Sequence, residues 1–250
     1  MRDAYLIAKN ELLVTIRNPY WLFRGLLQPI IYLVLFAPLL NGVAGVPGFP
    51  ARNAIQFFAP GLLIMNALFS AGFEGFTLQD KVESGFLERL RVTPINRLSL
   101  ALGFVLQSSA TLVFQSLVLI VCSLAFGLRL DPAGALILLL LVVLIGVTMA
   151  SISFTLALMT REGGILAGIT NTFILPLLIL SGVMLPISFG PPIIRTISRL
   201  DPFSYAVDAA RALVNGALTN PSIPVAFTVF VLLAALALAL FVRSMREAVA

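Results

Sequence analysis

Three apolar stretches of the chain carry polar side chains that could do chemistry. Asn66, Ser70 and Glu74 recur at i, i+4 and i+8. Gln107, Thr111 and Gln115 repeat that spacing farther on, with Ser108 and Ser116 beside them. On a helix each set forms one stripe. Asn171 adds an amide within the run Thr170-Asn171-Thr172. Amides and hydroxyls hydrogen-bond, and catalysis needs more. The chain has no histidine, which removes histidine metal sites, Ser–His and Cys–His pairs and the usual proton relays. Cys122, the single cysteine, sits in an apolar run and reads as an inert thiol. Neither lysine, Lys9 or Lys81, closes a G-x-x-x-x-G-K-[ST] loop, so no nucleotide is held by a P-loop here. The sequence therefore predicts no catalytic residue, no metal and no cofactor bound by this chain.

The stripes have two readings. They line a substrate path, or they pack helices together, as small and polar residues do in membrane bundles. Glu74 stands apart, because an ionisable group within a span is costly and by default functional. It lies about one helical turn from the end of its apolar run, within reach of Lys81 or Arg24 and of the interface.

The elements that must carry these residues follow from composition. The 250 residues are 60% hydrophobic and 11% charged, with mean hydropathy +1.06. A soluble domain has about 45–50% apolar and about 25% charged residues. So few charges cannot clothe a water-soluble surface, and the expected class is an all-α integral membrane protein. Spans need about 20 mainly apolar residues, and six segments qualify: 22–42, 56–78, 99–126, 134–158, 164–185 and 223–242. With the N-terminus cytoplasmic, eleven of the sixteen basic residues fall on the inner side and five on the outer. That bias places both termini in the cytoplasm. It also accounts for the net charge of +5 without nucleic acid. The N-terminal stretch is too polar for a cleavable signal peptide.

Residues 1–21 read as an interfacial helix, with Leu6, Leu13, Ile16 and Tyr20 at helical spacing and Tyr20-Trp21 as an aromatic anchor. Between spans five and six, prolines open two candidate helices on the outer side. Pro191-Pro192 precedes "IIRTISRL", and Asp201-Pro202 precedes "FSYAVDAARALVNGAL", with Asp201 as a cap. Within the spans, Gly146-x-x-x-Ala150 and Gly164-x-x-x-Gly168 permit close helix approach.

The charges of the first half gather in "DKVESGFLERLRVTPINRLSL", from Asp80 to Leu100. Asp80 as cap with Glu83 three residues on predicts a short helix over roughly 82–91. Val82, Phe86, Leu87 and Leu90 share its apolar face, and Glu88 and Arg91 pair on the polar side. Thr93-Pro94 ends it, and Pro94 is suited to open the next helix. Such a helix floats on the membrane or inserts into a groove on a cytoplasmic partner.

The string "VESGFLERLRVTPINRLSLALG" resembles the signature of the type-2 ABC exporter permeases. The match covers Glu83, Gly85, Leu87, Glu88, Leu90, Thr93, Pro94 and Arg97; Phe86 stands where the family often has threonine. The later "LDPFSYAVDAAR" is also similar to a family motif, and the chain resembles the daunorubicin-resistance-type permeases in particular. The resemblance implies one transmembrane domain over residues 1–250. It would form a homodimer in the cytoplasmic membrane and work with two copies of a separate ATPase subunit that holds ATP and Mg. The segment between spans two and three would be the coupling helix, with Phe86, Leu87 and Leu90 as anchors and Glu83, Glu88, Arg89 and Arg97 setting register. Spans one and five would form the dimer interface. The implied cargo is an amphiphilic drug, lipid or glycolipid. An ion-coupled secondary transporter would need more intramembrane charge than the spans hold. A membrane-embedded enzyme lacks a nucleophile with a base.

Overall fold

The apolar runs fold as helices. A computed structural model describes residues 7–9, 12–13, 25–35, 54–85, 96–160, 162–184 and 186–249. Among these every regular element is helical: α1 (Gly25–Leu35), α2 (Ala54–Gly72), α3 (Glu74–Glu83), α4 (Arg97–Ala125), α5 (Pro132–Thr160), α6 (Gly163–Leu180), a 3₁₀ turn (Ile187–Phe189), α7 (Pro192–Ser198), α8 (Pro202–Val214) and α9 (Ser222–Val249). Five stretches are long and apolar enough to cross a membrane: α2 continued by α3, then α4, α5, α6 and α9. α1, within the expected first span, is shorter. The chain is a multi-pass integral membrane protein, and its spans leave many leucines, isoleucines and phenylalanines exposed. Of the expected interfacial helix, residues 7–9 and 12–13 are helical and the rest lie outside the described residues.

α5 is the hub. It is apolar on every side, which suits a helix with neighbours and lipid all round. It touches α2, α3, α4, α6, α8 and α9. Phe154 of α5 stacks on Phe241 of α9 at 5.1 Å and meets Phe104 of α4 at 5.8 Å. At Gly146 a Cβ would collide with Leu112, so α4 and α5 approach as the small-residue spacing predicts.

α7 and α8 start where the prolines predict, and Asp201 caps α8 by accepting from Phe203 N–H at 3.0 Å. α8 buries Phe203, Ala206, Val207, Ala210 and Leu213 against the bundle. The "FSYAVDAARALVNGAL" stretch is thus part of the packed body.

The Asp80 region departs from expectation. Asp80 lies inside α3 and does not cap a helix, and its backbone oxygen accepts from Ser84 N–H at 3.1 Å. The second span runs on to Glu83, beyond the expected residue 78. Buried Gly75, Leu78 and Gln79 keep the chain packed and helical there, so tertiary contact overrides the capping pattern. α3 ends in a turn in which Gly85 takes φ +76°, a conformation open to glycine. Nor does Pro94 begin the next helix. α4 starts at Arg97, where Asn96 Oδ1 accepts from Leu98 N–H at 3.0 Å and satisfies an N–H that proline would leave open.

Candidate functional site

The two polar stripes face each other. Asn66 of α2 donates to Gln115 Oε1 of α4 at 3.4 Å, and both residues are buried. Gly25 of α1 lies directly against the Gln115 amide, so that one side chain joins three helices. Gln107 and Thr111, also buried, bond to each other one turn away at 3.4 Å. A hydrogen bond between membrane helices averages about 0.6 kcal/mol, so this seam fixes register more than it adds stability. Ser70 and Glu74 are half-buried on the same side of the second span. Asn171 is not brought to the seam. It is exposed on α6, donates to Ala167 O at 3.0 Å, and shares an outer face with Gly164 and Gly168, neither of which touches another helix among the described residues.

Glu74 marks a break. The helix of the second span is interrupted at Phe73, and Ser153 of α5 enters the gap. Its hydroxyl donates to Gly72 O at 2.6 Å and accepts from Gly75 N–H at 2.8 Å. One side chain thus satisfies the donor and the acceptor that the break exposes, the usual origin of a sharp kink. Glycine is required at 75, because a Cβ there would overlap the Ser153 backbone. Glu74 is then the first residue of α3, where the positive end of the helix dipole favours a carboxylate.

Beyond the break, α3 leads to the charged segment. Gln79 is buried, and with its amide turned so that the oxygen faces α6 it accepts from Glu162 N–H at 3.2 Å and from Gly163 N–H, an arrangement that caps the start of α6. Lys81 lies over the Phe104 ring at 4.9 Å. Glu83 is exposed at the end of α3, Gly85 makes the turn, and Arg97 opens α4 half-buried. Phe86, Leu87, Glu88, Arg89, Leu90, Thr93 and Pro94 lie outside the described residues.

The opposite end of the bundle is closed by side chains that bond to backbone. Gln56 of α2 donates to Arg129 O at 2.8 Å and to Val214 O at 3.0 Å, and accepts from Arg129 N–H at 3.1 Å. Arg211 of α8 donates to Gly182 O at 2.7 Å, at the end of α6, and to Phe57 O at 3.4 Å. Its guanidinium lies 3.7 Å over the Phe57 ring. Burial lowers the Arg211 pKa to about 10, opposed by nearby Asp208, so the group stays charged and holds the chain just past the end of α6.

No group of three or more Cys, Asp or Glu able to hold a metal occurs among the described residues. What the geometry does offer is a helix bundle tied together at one end, with its second span interrupted toward the other, next to the family-like segment. The model of the ABC-2 type transporter family matches residues 2–215. The chain belongs to the ABC-2 type transporter family. This permease is 30% identical over 217 residues to a ycf38 transport permease of Cyanophora paradoxa, covering 85% of this chain and 74% of that one. A ycf38 transport permease of Pyropia yezoensis is 30% identical over 203 residues, or 79% and 68% of the two chains. The daunorubicin resistance ABC transporter permease protein DrrB1 of Streptomyces coeruleorubidus is 23% identical over 200 residues, or 79% and 70%.

The family match takes in the seam, the break at Phe73, the charged segment and α8 of this ABC-2 permease. Four of its joining residues escape sequence reasoning. Ser153 resembles any small polar residue of a span, Gln79 falls in a segment read for its charges, and Gln56 begins an apolar run. Arg211 counted only as a loop charge. Only for Arg211 did a signal exist, since a basic residue followed the capped apolar helix of "LDPFSYAVDAAR".

Proposed function

We propose that this chain is the transmembrane subunit of an ATP-driven exporter that moves an amphiphilic drug, lipid or glycolipid across the cytoplasmic membrane. Membership of the ABC-2 type transporter family carries the reading, and the absence of a P-loop agrees with it. Two copies of the permease would pair with two copies of a separate ATPase that binds ATP and Mg. Each permease would have six spans, the first over 22–42 around α1, with both termini in the cytoplasm and α7 and α8 on the outer side. The exposed face of α6 with Gly164, Gly168 and Asn171 suits close packing of a second copy, alongside the first span.

The coupling segment would run from Glu83 through Gly85, Phe86, Leu87, Glu88, Arg89, Leu90, Thr93 and Pro94 to Arg97. A rigid element seated in a partner groove conveys motion only if its contacts differ between two states. Here it continues α3, which begins at the Ser153-pinned break. The cargo path would follow Asn66, Ser70, Glu74, Gln107, Thr111 and Gln115, with Asn171 contributing at the interface. DrrB1 is by name a daunorubicin resistance permease, which favours an amphiphilic cargo.

Affinity capture of the full chain from its native membranes tests the proposal. An ATP-hydrolysing subunit should co-purify in about equal amount. Leu87→Asp and Leu90→Asp should lose that subunit and ATP-dependent export while still inserting. Retention of both by the two variants would contradict the coupling assignment.

A further inference from the structure

An exposed patch of mixed character lies just past α6. That helix has 18 residues, about 27 Å of length, so its end at Leu180 reaches the edge of the hydrocarbon layer. α7 follows after the 3₁₀ turn and touches both that turn and α6. Its orientation is set by α8. Ser198 is buried, Ser204 Oγ donates to Ser198 O at 2.8 Å, and Tyr205 Oη donates to Arg199 O at 2.8 Å.

The side of α7 turned away from the body is apolar. Ile193, Ile197 and Leu200 recur at i, i+4 and i+7 and are 68%, 43% and 83% exposed, and Phe189 in the 3₁₀ turn is 55% exposed. Arg195 and Arg199, four residues apart, are exposed on another side of the helix. Arg195 Nε donates to Gly190 O at 2.9 Å, which holds that side chain along the preceding turn. No aspartate or glutamate occurs between Glu162 and Asp201, and Asp201 is buried in its own cap. Apolar side chains on one side of a helix and arginines on another, beside the end of a spanning helix, are the pattern of an element lying in a membrane interface.

The charges decide what covers this face. A symmetric pair of chains lays the same patch on itself, so arginine would meet arginine. A phospholipid supplies both missing partners, acyl chain for the apolar stripe and phosphate oxygens for the guanidinium forks.

We propose that α7 lies in the leaflet at the C-terminal end of α6 and binds anionic phospholipid there, with Ile193, Ile197 and Leu200 against acyl chains and Arg195 and Arg199 on headgroup phosphates. This needs α6 to span the bilayer. It is independent of the cargo, of the ATPase and of which side of the membrane is outer.

The test uses the full chain with Cys122→Ser and Leu200→Cys, the new thiol carrying an NBD fluorophore. In phosphatidylcholine nanodiscs, lipid spin-labelled near the top of its acyl chain should quench the fluorophore more strongly than aqueous iodide does. Stronger quenching by iodide would place α7 in water, and protection from both would place protein over it; either result overturns the proposal. In detergent, spin-labelled phosphatidylglycerol should quench at a concentration about 10- to 30-fold lower than spin-labelled phosphatidylcholine, as two arginines near an anionic surface require. Arg195→Gln with Arg199→Gln should bring the two lipids level, and Arg195→Lys with Arg199→Lys should keep most of the difference. Equal quenching by the two lipids in the parent chain, or a difference that survives the paired glutamines, would also overturn it.

Discussion

At the Gln56 end of the bundle, long polar side chains reach across to backbone. Gln56 binds the chain on either side of it at Arg129 and Val214, and Arg211 holds the end of α6 and the start of α2. Toward the Gln79 end, among the described residues, two joining groups stand out. Ser153 bridges a broken helix, and Gln79 caps the start of α6. Several helices fastened to one another's backbones must move together. A helix interrupted at one residue and held by one hydroxyl can change angle at small cost, because a single donor–acceptor pair is exchanged. Under the proposed function, the Gln56 end would be the fixed frame and the Gln79 end, which leads into the charged segment, would be the moving part.

The largest effect should come from breaking the frame. Arg211→Ala leaves Gly182 O, in the turn after α6, without its donor and empties the space over Phe57. It should cost about 3 kcal/mol, read as a lowered midpoint of thermal unfolding in detergent. Arg211→Lys should recover part of that, since it keeps the charge without the planar fork. A variant as stable as wild type would remove the frame from the account.

Ser153→Ala should cost less, about 2 kcal/mol for an N–H and a carbonyl left unpaired at the break. Its distinguishing sign is local. Hydrogen exchange at residues 73–76 should quicken while the Gln56 end keeps its protection. Uniform exchange across both ends would mean that the break is not a separate moving element.

A smaller effect should appear with pH. Burial raises the Asp201 pKa from 3.8 to about 6, against the Phe203 N–H that lowers it. The folded chain thus holds a proton that the unfolded chain releases between those values. Stability at this cap should rise as pH falls through about 6, and the gain should be complete below 3.8. Asp201→Asn keeps an oxygen for Phe203 N–H and removes the titration. The difference in melting midpoint between wild type and variant should therefore change with pH across that window. Asp208, raised mainly by burial, titrates in both proteins and cancels. A difference that stays constant would show that Asp201 is not held in this way.

The same contrast explains what the sequence revealed. Features governed by near neighbours were legible: five of the six expected spans, the proline starts of α7 and α8, the Asp201 cap and the stripe spacing of Asn66, Gln107 and Gln115. The cap expected at Asp80 was equally local, and burial of Leu78 and Gln79 in the bundle overrode it. What stayed hidden was partner choice. Ser153 meets Gly72 across 81 positions of sequence, and Arg211 meets Phe57 across 154. No periodicity encodes which serine will enter a break or which carbonyls an arginine will cap. The stripes were visible as stripes, yet that Gln115 would take Asn66 on one side and Gly25 on the other follows only from packing.

The central claim is that energy from an ATPase enters at the Gln79 end. In a Cys122→Ser background, Ser84→Cys and Asn215→Cys place single thiols at exposed positions on the two ends. With the ATPase subunit present, a short bifunctional cross-linker in native membranes should join Ser84→Cys to that subunit and leave Asn215→Cys unjoined. Cross-linking at Asn215→Cys, or none at Ser84→Cys, would contradict the account.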